Sequence, residues 1–564
     1  MIIDLRVSGK LGVELSKRMN SVADEIRSPF HTLIEELSRG NENNLDWWVS
    51  GPPSRNPHSS PLFHYCCCIQ LIRSLISEGK NIESIIVDSL ALQKILKRLF
   101  SESKQGPEIK IIQEPFFYKW TRIFKRALIS PLIFFYSHCC AKTVSGKNIK
   151  IPESAILIDR FVQESMIDDD PYYSGMLDYI DEEDRKKVFF IPAFYKIPPH
   201  KLRATYSAVR NNWKNYLLKE DFLKIRDYFF AWLYVIRSNF LKISPAYFFG
   251  IDIRPLAKEE IRSLNSVGQS MTALLNYRFS YRLREKKAAP KLVINWFENQ
   301  IVDKGWNAGF RKNFPEAGQI GFMGFLFQRY YLCLFPTSFE EASKVIPPKV
   351  NVIGKKLIET VKEWHPELKA DIAPAFRYQH VWNQNKKETQ GEFAILAALP
   401  LYIDQAVEII EQLLDMYEIL PDKNTRFLLK THPTCSADEI KEKLPVNLPE
   451  AFHFADRSFD DCLGISHILI SSGSGVLMES IARGVPVIII GSANGLTHHT
   501  VPEDVDPLLW QICYTAEELA ESVKICQNKK FNDLEQKIRL AEKVRKDYFN
   551  PVDKKNVREF LQLD

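Results

Sequence analysis

The sequence predicts an α/β protein with two doubly wound parallel sheets that face each other across a cleft. Short, uninterrupted apolar runs at 427–429, 468–470 and 487–490 have the composition of strands covered by helices on both faces. Segments of helical periodicity alternate with these runs, as in open α/β sheets, where ligands bind beyond the carboxyl ends of the strands. A chain of 564 residues with 45% hydrophobic content is long enough to bury two cores.

Composition excludes some classes of function. The formal charge of +5, from 75 basic and 70 acidic residues, is too balanced for a dedicated nucleic-acid binder. The cysteines at 66–68 and 139–140 are contiguous, so they lack zinc-ligand spacing and indicate reduced thiols. No secretory signal opens the sequence, and no window reaches the ~18 apolar residues that span a bilayer. We therefore expect a cytoplasmic protein without a metal or another bound cofactor.

The first 150 residues are predicted to begin the first sheet. A strand at 45–49 and a helix at 62–76 precede a strand at 85–88. Between the first two lies a polar turn, whose Arg55 and Asn56 are candidates for binding an acceptor. Further strands are expected at 155–158, 188–191 and 247–252.

The segment 119–136 indicates contact with a membrane surface. Its apolar residues recur at helical spacing, and four basic residues occupy the rest of the turn: Lys119, Arg122, Lys125 and Arg126. A strongly apolar run follows Pro131. A basic amphipathic helix before such a run can rest on anionic lipid, although an ordinary surface helix over a core strand fits the same pattern.

The candidate catalytic acid is Glu298, which follows the predicted buried strand 291–297 at its carboxyl end. A carboxylate there can act as a general base or as a nucleophile. Asp303 and Asp159 are rival candidates for the same role.

Aromatic and polar residues downstream of this acid have the character of a sugar-binding wall. Asn299, Trp306 and Arg311 are the candidates for acceptor binding. The pattern also fits ordinary core, in which Glu298 would cap the next helix or pair with Lys304 or Arg311.

Composition shifts divide the chain into four parts. Residues 1–345 form the expected N-terminal acceptor and catalytic domain, with a helical insertion at about 200–245. An interdomain region follows at 346–392, and the second domain spans 393–530. The remainder, 531–564, is expected to form a charged helix.

Two phosphate-friendly turns define the donor half of the predicted cleft. Lys430, His432 and Pro433 belong to the first, directly after a buried strand. The second is the serine turn, formed by Ser471, Ser472, Gly473 and Ser474. Glycine and serine let a backbone approach a phosphate closely and supply hydrogen bonds, and a histidine can donate to a phosphate oxygen. Each turn alone is also compatible with a simple loop or helix cap.

Three further residues are donor-binding candidates. Glu479 lies one helical turn beyond the serine turn. His498 and His499 form a pair in a loop after the strand 487–490. The pair has no third ligand at recognisable spacing, so a metal is not expected there.

The His432-Pro433 and Ser471-Ser472 pairs resemble the His-Pro and Ser-Ser motifs of bacterial sialyltransferases and Kdo transferases of the GT-B architecture. That resemblance implies two Rossmann-like domains, a CMP-linked donor held by these motifs, and a C-terminal helix that crosses back to the first domain. It also implies a ribose contact from Glu479 and a metal-independent reaction. Glu298 matches the first residue of an acidic Glu-Asp-Gly motif, but Asn299 and Gln300 replace the other two. Teichoic-acid glycerophosphotransferases share a comparable pair of motifs.

The expected function is transfer of a sugar, Kdo or a related acidic sugar, from a CMP-linked donor to a bacterial surface glycan or lipid-linked acceptor. Such an enzyme of lipopolysaccharide or capsule synthesis would be peripheral on the inner face of the cytoplasmic membrane. The open alternatives are a teichoic-type glycerol or ribitol phosphotransferase, a nucleotide-sugar 2-epimerase and a catalytically inactive GT-B scaffold.

Overall fold

A computed structural model describes the chain except for residues 102–105, 113–115, 145–150, 384–391, 421–422, 433–434, 528–533 and 564. The described part contains three parallel sheets with helices between their strands. The second and third sheets are six-stranded and doubly wound, which confirms the predicted fold class.

A small parallel sheet occupies the N-terminal part. Its strands and helices are, in chain order, β1 (Ile2–Asp4), α1 (Val13–Ser38), α2 (Leu45–Trp48), α3 (Leu62–Ser77), β2 (Ser84–Val87), α4 (Leu90–Leu99) and β3 (Glu108–Ile111). The order is β1-β2-β3, and α1 packs on α3. The strand expected at 45–49 is wrong: Asn44 caps a helical turn by accepting from the Asp46 N–H, and Trp47 and Trp48 are both buried.

The second sheet follows, with its helices. The elements are α5 (Phe116–Phe124), α6 (Ser130–Thr143), β4 (Ile156–Val162), α7 (Glu182–Arg185), β5 (Val188–Phe194), α8 (Leu202–Asn211), α9 (Ile225–Trp232), α10 (Tyr234–Arg237), β6 (Tyr247–Phe248), β7 (Ile251–Asp252), α11 (Arg254–Ser263), α12 (Val267–Glu285), β8 (Leu292–Trp296), α13 (Ile301–Asn313), β9 (Gly318–Met323), α14 (Ser338–Ala342), β10 (Lys349–Val352), α15 (Leu357–Val361) and β11 (Lys369–Ile372). The strand order is β11-β10-β9-β8-β4-β5. The chain reverses its direction of winding between β4 and β8, so the switch point of this sheet lies at their carboxyl ends.

The strand expected at 247–252 is instead a hairpin. β6 and β7 pair antiparallel with each other and join neither large sheet. Phe249 and Gly250 both have positive φ, at 46° and 82°, and this turn breaks the run.

The third sheet belongs to the C-terminal part. Its elements and the closing helices are β12 (Phe393–Ala398), α16 (Ile403–Ile419), β13 (Thr425–Lys430), α17 (Ala437–Lys443), β14 (Phe452–Phe454), α18 (Phe459–Gly464), β15 (Ile468–Ser471), α19 (Val476–Ala482), β16 (Val487–Ile490), β17 (Trp510–Cys513), α20 (Ala516–Gln527), α21 (Leu534–Tyr548) and α22 (Lys554–Phe560). The order β14-β13-β12-β15-β16-β17 places the switch point between β12 and β15.

Two connections join the large sheets. The span 346–392 contains β10 and β11, which extend the second sheet, and a 3₁₀ helix, Phe376–Trp382, which we call the connector helix. After α21 the chain returns to the second sheet: the Asn550 N–H donates to the Ile353 carbonyl at 2.6 Å, and Phe560 packs on Phe322. Together the two sheets and this return form the GT-B arrangement.

Within the described residues, the helices are all too short or too polar to span a bilayer.

Candidate functional site

Glu298 lies at the switch point of the second sheet, two residues beyond β8. Trp296 Nε1 donates to Glu298 Oε1 at 2.8 Å, and the Gln300 amide donates to Oε2. Burial raises the pKa of Glu298, against the opposing effects of these two hydrogen bonds and of the nearby Arg377 charge. The residue as a whole is partly exposed. It is therefore held in one orientation at the place where an α/β sheet binds ligands.

The rival acids are buried behind Glu298. Asp303 accepts the backbone N–H groups of Glu298 and Gln300 at 3.2 and 2.8 Å, and its other oxygen accepts from Asn295. Burial raises the pKa of Asp303 to about 7 and that of Asp159 to about 6. The expectation that Asp303 is catalytic is corrected, because its oxygens orient the loop that carries Glu298.

His432 faces two cations from other parts of the fold. It follows β13 and is partly exposed, and its pKa is lowered by burial, then by the charges of Lys196 and Arg377. Lys196 lies two residues after β5 and Arg377 lies on the connector helix; both are exposed. In the part of the chain that is described, no carboxylate lies within salt-bridge distance of either cation. Two positive charges near an imidazole are an arrangement that attracts anions, and we call this group the anion position.

Lys430 does not contribute to this position. Its ammonium donates to the carbonyls of Arg457 at 2.6 Å and Ala455 at 3.3 Å. The expectation that Lys430 neutralises a phosphate is corrected, because its ammonium is hydrogen-bonded to backbone carbonyls of the loop after β14. Pro433 lies outside the described residues.

The serine turn lies at the switch point of the third sheet. The Ser471 hydroxyl is buried and donates to the Ala398 carbonyl at 2.7 Å, so it joins the ends of β15 and β12 instead of facing a ligand. Ser472, Gly473 and Ser474 are partly exposed. A Cβ atom at Gly473 would lie 1.7 Å from the His498 carbonyl oxygen, so only glycine fits there.

Glu479 connects the serine turn to the connector helix. Its Oε2 contacts His380 Nε2 at 2.9 Å, and this hydrogen bond raises the pKa of His380. Tyr378 has the largest effect on the pKa of Arg377 and raises it. Burial opposes this rise, and Glu479, Tyr172 and Glu298 add to it. Arg377 therefore interacts electrostatically with an acid of each half of the chain, Glu298 and Glu479.

The loop that contains His498 and His499 contacts the serine turn. The Thr500 hydroxyl donates to the Ser474 carbonyl at 3.0 Å. The His498 ring meets the edge of the Tyr331 ring with centroids 5.1 Å apart, and the His499 ring lies beside Trp510. The two histidines thus lie at the boundary between the two large sheets, where the sequence predicted donor contacts.

The predicted acceptor residues do not face the cleft. Arg55 is buried and pairs with Glu340, Nη2 to Oε1 at 2.6 Å, and Lys304 pairs with the same carboxylate. Asn299 is also buried and donates to Glu340. Asn56 is buried and accepts the His58 N–H. The expectation that Arg55, Asn56 and Asn299 bind an acceptor is corrected, because each side chain is buried and already has a hydrogen-bond or ion-pair partner within the fold.

Trp306 and Arg311 lie on α13 and contact other parts of the fold. Trp306 is buried against Phe279 and Phe310, and Arg311 donates to the Ile346 carbonyl at 3.0 Å. Both expectations of acceptor contact are therefore corrected: these side chains pack α13 against its neighbours.

Sequence reasoning missed Lys196, His380 and Arg377. Each lies in a polar loop or a short helix without a motif, and only the fold brings them to His432 and Glu479. One usable signal was local: Lys196 lies two residues after a buried strand, where parallel sheets place ligand contacts.

Comparisons with known proteins give distant structural similarity only. No protein-family model matches the chain, and no curated protein matches it. The calicheamicin glycosyltransferase CalG4 is similar at 10% identity, covering 72% of this chain and 98% of its own, with a TM-score of 0.43. MurG of Acinetobacter baumannii is similar at 10% identity, covering 72% and 99%, with a TM-score of 0.41. UDP-GlcNAc 2-epimerase of Methanocaldococcus jannaschii is similar at 11% identity, covering 72% and 98%, with a TM-score of 0.41.

Proposed function

We propose that this protein is a glycosyltransferase that transfers an acidic sugar such as Kdo from a CMP-linked donor. One observation carries the proposal: the Arg377 charge acts on Glu298 in the first half and on both His432 and Glu479 in the second. This shared charge supports a common site for the catalytic acid and the donor loops. The resemblance of the His432-Pro433 and Ser471-Ser472 sequence pairs to motifs of CMP-sugar transferases supports the preference for cytidine.

The anion position suits the donor proposed here. A CMP-linked acidic sugar carries a phosphate and a carboxylate close together, and Lys196 and Arg377 offer one cation for each. Neutral His432 can donate a hydrogen bond to the phosphate. As the bond to the anomeric carbon breaks, negative charge grows on the departing CMP, and these groups stabilise it without reorganising.

Glu298 performs the chemistry on the sugar side. As a base it takes the proton of the acceptor hydroxyl while that oxygen attacks the anomeric carbon and CMP leaves. As a nucleophile it attacks that carbon itself, and the acceptor then displaces it in a second step. Both routes need the deprotonated carboxylate that Trp296 and Gln300 orient.

Turnover of CMP-Kdo tests the proposal. The purified protein should release CMP and transfer Kdo to a lipid-linked acceptor. Transfer of glycerol phosphate from CDP-glycerol, or a nucleotide sugar inverted at C2 without any acceptor, would identify one of the alternative enzymes instead.

Removing either cation should weaken donor binding. We expect Arg377→Gln and Lys196→Gln each to raise the dissociation constant for CMP-Kdo about tenfold, because each loses a charge-assisted hydrogen bond worth about 1.5–3 kcal/mol. Lys430→Gln is the matched control, since its ammonium bonds backbone carbonyls. Isothermal titration measures all three variants. Equal weakening in Lys430→Gln would contradict the assigned anion position.

The segment 119–136 is proposed to contact anionic membrane. α5, a π-helical turn at Lys125–Ile129 and α6 expose large apolar side chains, among them Phe124 at 62% and Leu132 at 63%. Residues 116–144 contain five basic residues and no acidic one. An apolar surface rimmed by cations matches the interface of an anionic bilayer.

Vesicle co-sedimentation checks this contact. The protein should bind vesicles containing phosphatidylglycerol, and the variant Arg122→Glu, Lys125→Glu, Leu132→Ser should lose about 90% of that binding. The variant Lys441→Glu, Lys443→Glu on α17 is the control for net charge. Binding that both variants retain would remove the membrane proposal.

A further inference from the structure

A cluster of uncharged polar rings lies between the two halves of the cleft. His58 Nε2 forms a hydrogen bond with the Tyr331 hydroxyl. The Tyr331 and His498 rings meet edge to face, with centroids 5.1 Å apart, and Tyr330 approaches His498 at 6.0 Å. His58 and Tyr331 come from the first half of the chain and His498 from the second. We call His58, Tyr331 and His498 the ring cluster.

The ring cluster adjoins the candidate catalytic acid and the serine turn. The pKa of Tyr331 is raised mainly by burial, and in smaller part by Cys333, Tyr402 and Glu298, so the phenol lies near the Glu298 carboxylate. The His498 carbonyl packs directly against Gly473. The ring cluster therefore packs against the serine turn, and the Glu298 charge acts on its phenol.

The ring cluster carries no charge at neutral pH. Burial lowers the pKa of His58, and burial followed by the charges of His58 and His499 lowers that of His498 to about 4. His498 Nδ1 is buried and has no hydrogen-bond partner in the described part of the chain. Lys196 and Arg377 are grouped instead around His432. The Arg377 charge and the Tyr331 phenol both interact electrostatically with Glu298.

We propose that the ring cluster is a subsite for a neutral, hydroxyl-bearing sugar, the residue of the acceptor that receives the transferred group. Neutral imidazoles and a phenol both donate and accept hydrogen bonds, as sugar hydroxyls require, and their rings pack against the C–H faces of a pyranose. A phosphate or carboxylate would find no cation among these three side chains. This subsite rests on the proposed function, because it assigns the acceptor half of the same cleft.

Steady-state kinetics separates this role from donor binding. We expect His58→Ala and Tyr331→Phe to raise the KM for the acceptor about tenfold or more, while the KM for CMP-Kdo and its slow hydrolysis by water stay unchanged. His453→Ala, an exposed histidine on β14, is the matched control. An unchanged acceptor KM, or an equal rise in the donor KM, would overturn the assignment.

A second experiment keeps the subsite testable if no CMP-sugar is turned over. Saturation-transfer NMR uses methyl α-glucopyranoside and methyl α-mannopyranoside as neutral probes and methyl glucuronide as the charged probe. At least one neutral probe should show transfer from the wild-type protein that is lost in His58→Ala and Tyr331→Phe and kept in His453→Ala. No transfer to either neutral probe, transfer that survives both substitutions, or a preference for the glucuronide would overturn the subsite and leave the donor proposal standing.

Discussion

Glu298→Gln is expected to abolish sugar transfer while nucleotide binding survives. The substitution keeps the size of the side chain and one acceptor oxygen but removes its ability to accept a proton or attack carbon. Positioned carboxylates of this kind contribute about 10²- to 10⁴-fold, so kcat should fall by about 10³-fold. Release of CMP from CMP-Kdo in the presence of acceptor measures the loss, and isothermal titration with CMP verifies that the donor half is intact.

The pH dependence of the transfer rate gives a second test of the role of Glu298. Because burial raises the pKa of Glu298, the reactive carboxylate forms at a higher pH than an ordinary glutamate requires. The rate should therefore rise with pH through that raised pKa and fall as the group is protonated. Asp303→Asn is the control, since Asp303 orients the loop: it should lower turnover less than Glu298→Gln. Full turnover in Glu298→Gln would move the catalytic role elsewhere.

Glu340→Ala is expected to destabilise the first half of the protein by about 3–5 kcal/mol. Glu340 is buried between Arg55 and Lys304. Burial alone would raise the pKa of Glu340, but the charges of these two residues lower it to about 2. Removing the carboxylate leaves two buried cations without compensation. Differential scanning calorimetry should show a lower first transition.

The same substitution should also disturb the catalytic loop. Asn299 has a positive φ of 55° and is held by Glu340 and Lys304, directly beside Glu298. Glu341→Ala is the matched control, because Glu341 is less buried and pairs with His365. It should cost about 1 kcal/mol or less. Equal effects of the two substitutions would show that the buried network adds no stability.

The sequence predicted the parts of the site that depend on local pattern. Runs such as that of β8 and β15 identify buried strands by themselves, and the residues after them, Glu298 and Ser472, lie at the ends where ligands bind. That Glu298 and Ser472 lie at the switch points follows from the order of the strands in each sheet, and local sequence pattern does not contain that order.

The other parts of the site depend on contacts between segments that are distant in the sequence. Arg55 resembles a surface residue in a polar turn until the fold places Glu340 beside it. Lys196 and Arg377 meet near His432 because one follows β5 and the other lies on the connector helix. No single segment of the sequence carries either pairing, so local pattern could show neither that Arg55 is buried nor that the charges of Lys196 and Arg377 act on His432.

Nucleotide selectivity tests the central claim most directly. The melting temperature of the wild-type protein should be measured with CMP, CDP, UDP and GDP at equal concentrations, and a ligand at 100 times its dissociation constant stabilises by about 2.7 kcal/mol. We predict the largest increase with CMP, reduced in Arg377→Gln and kept in Glu298→Gln. A larger increase with UDP or GDP would contradict the assignment of a cytidine-linked donor to this cleft.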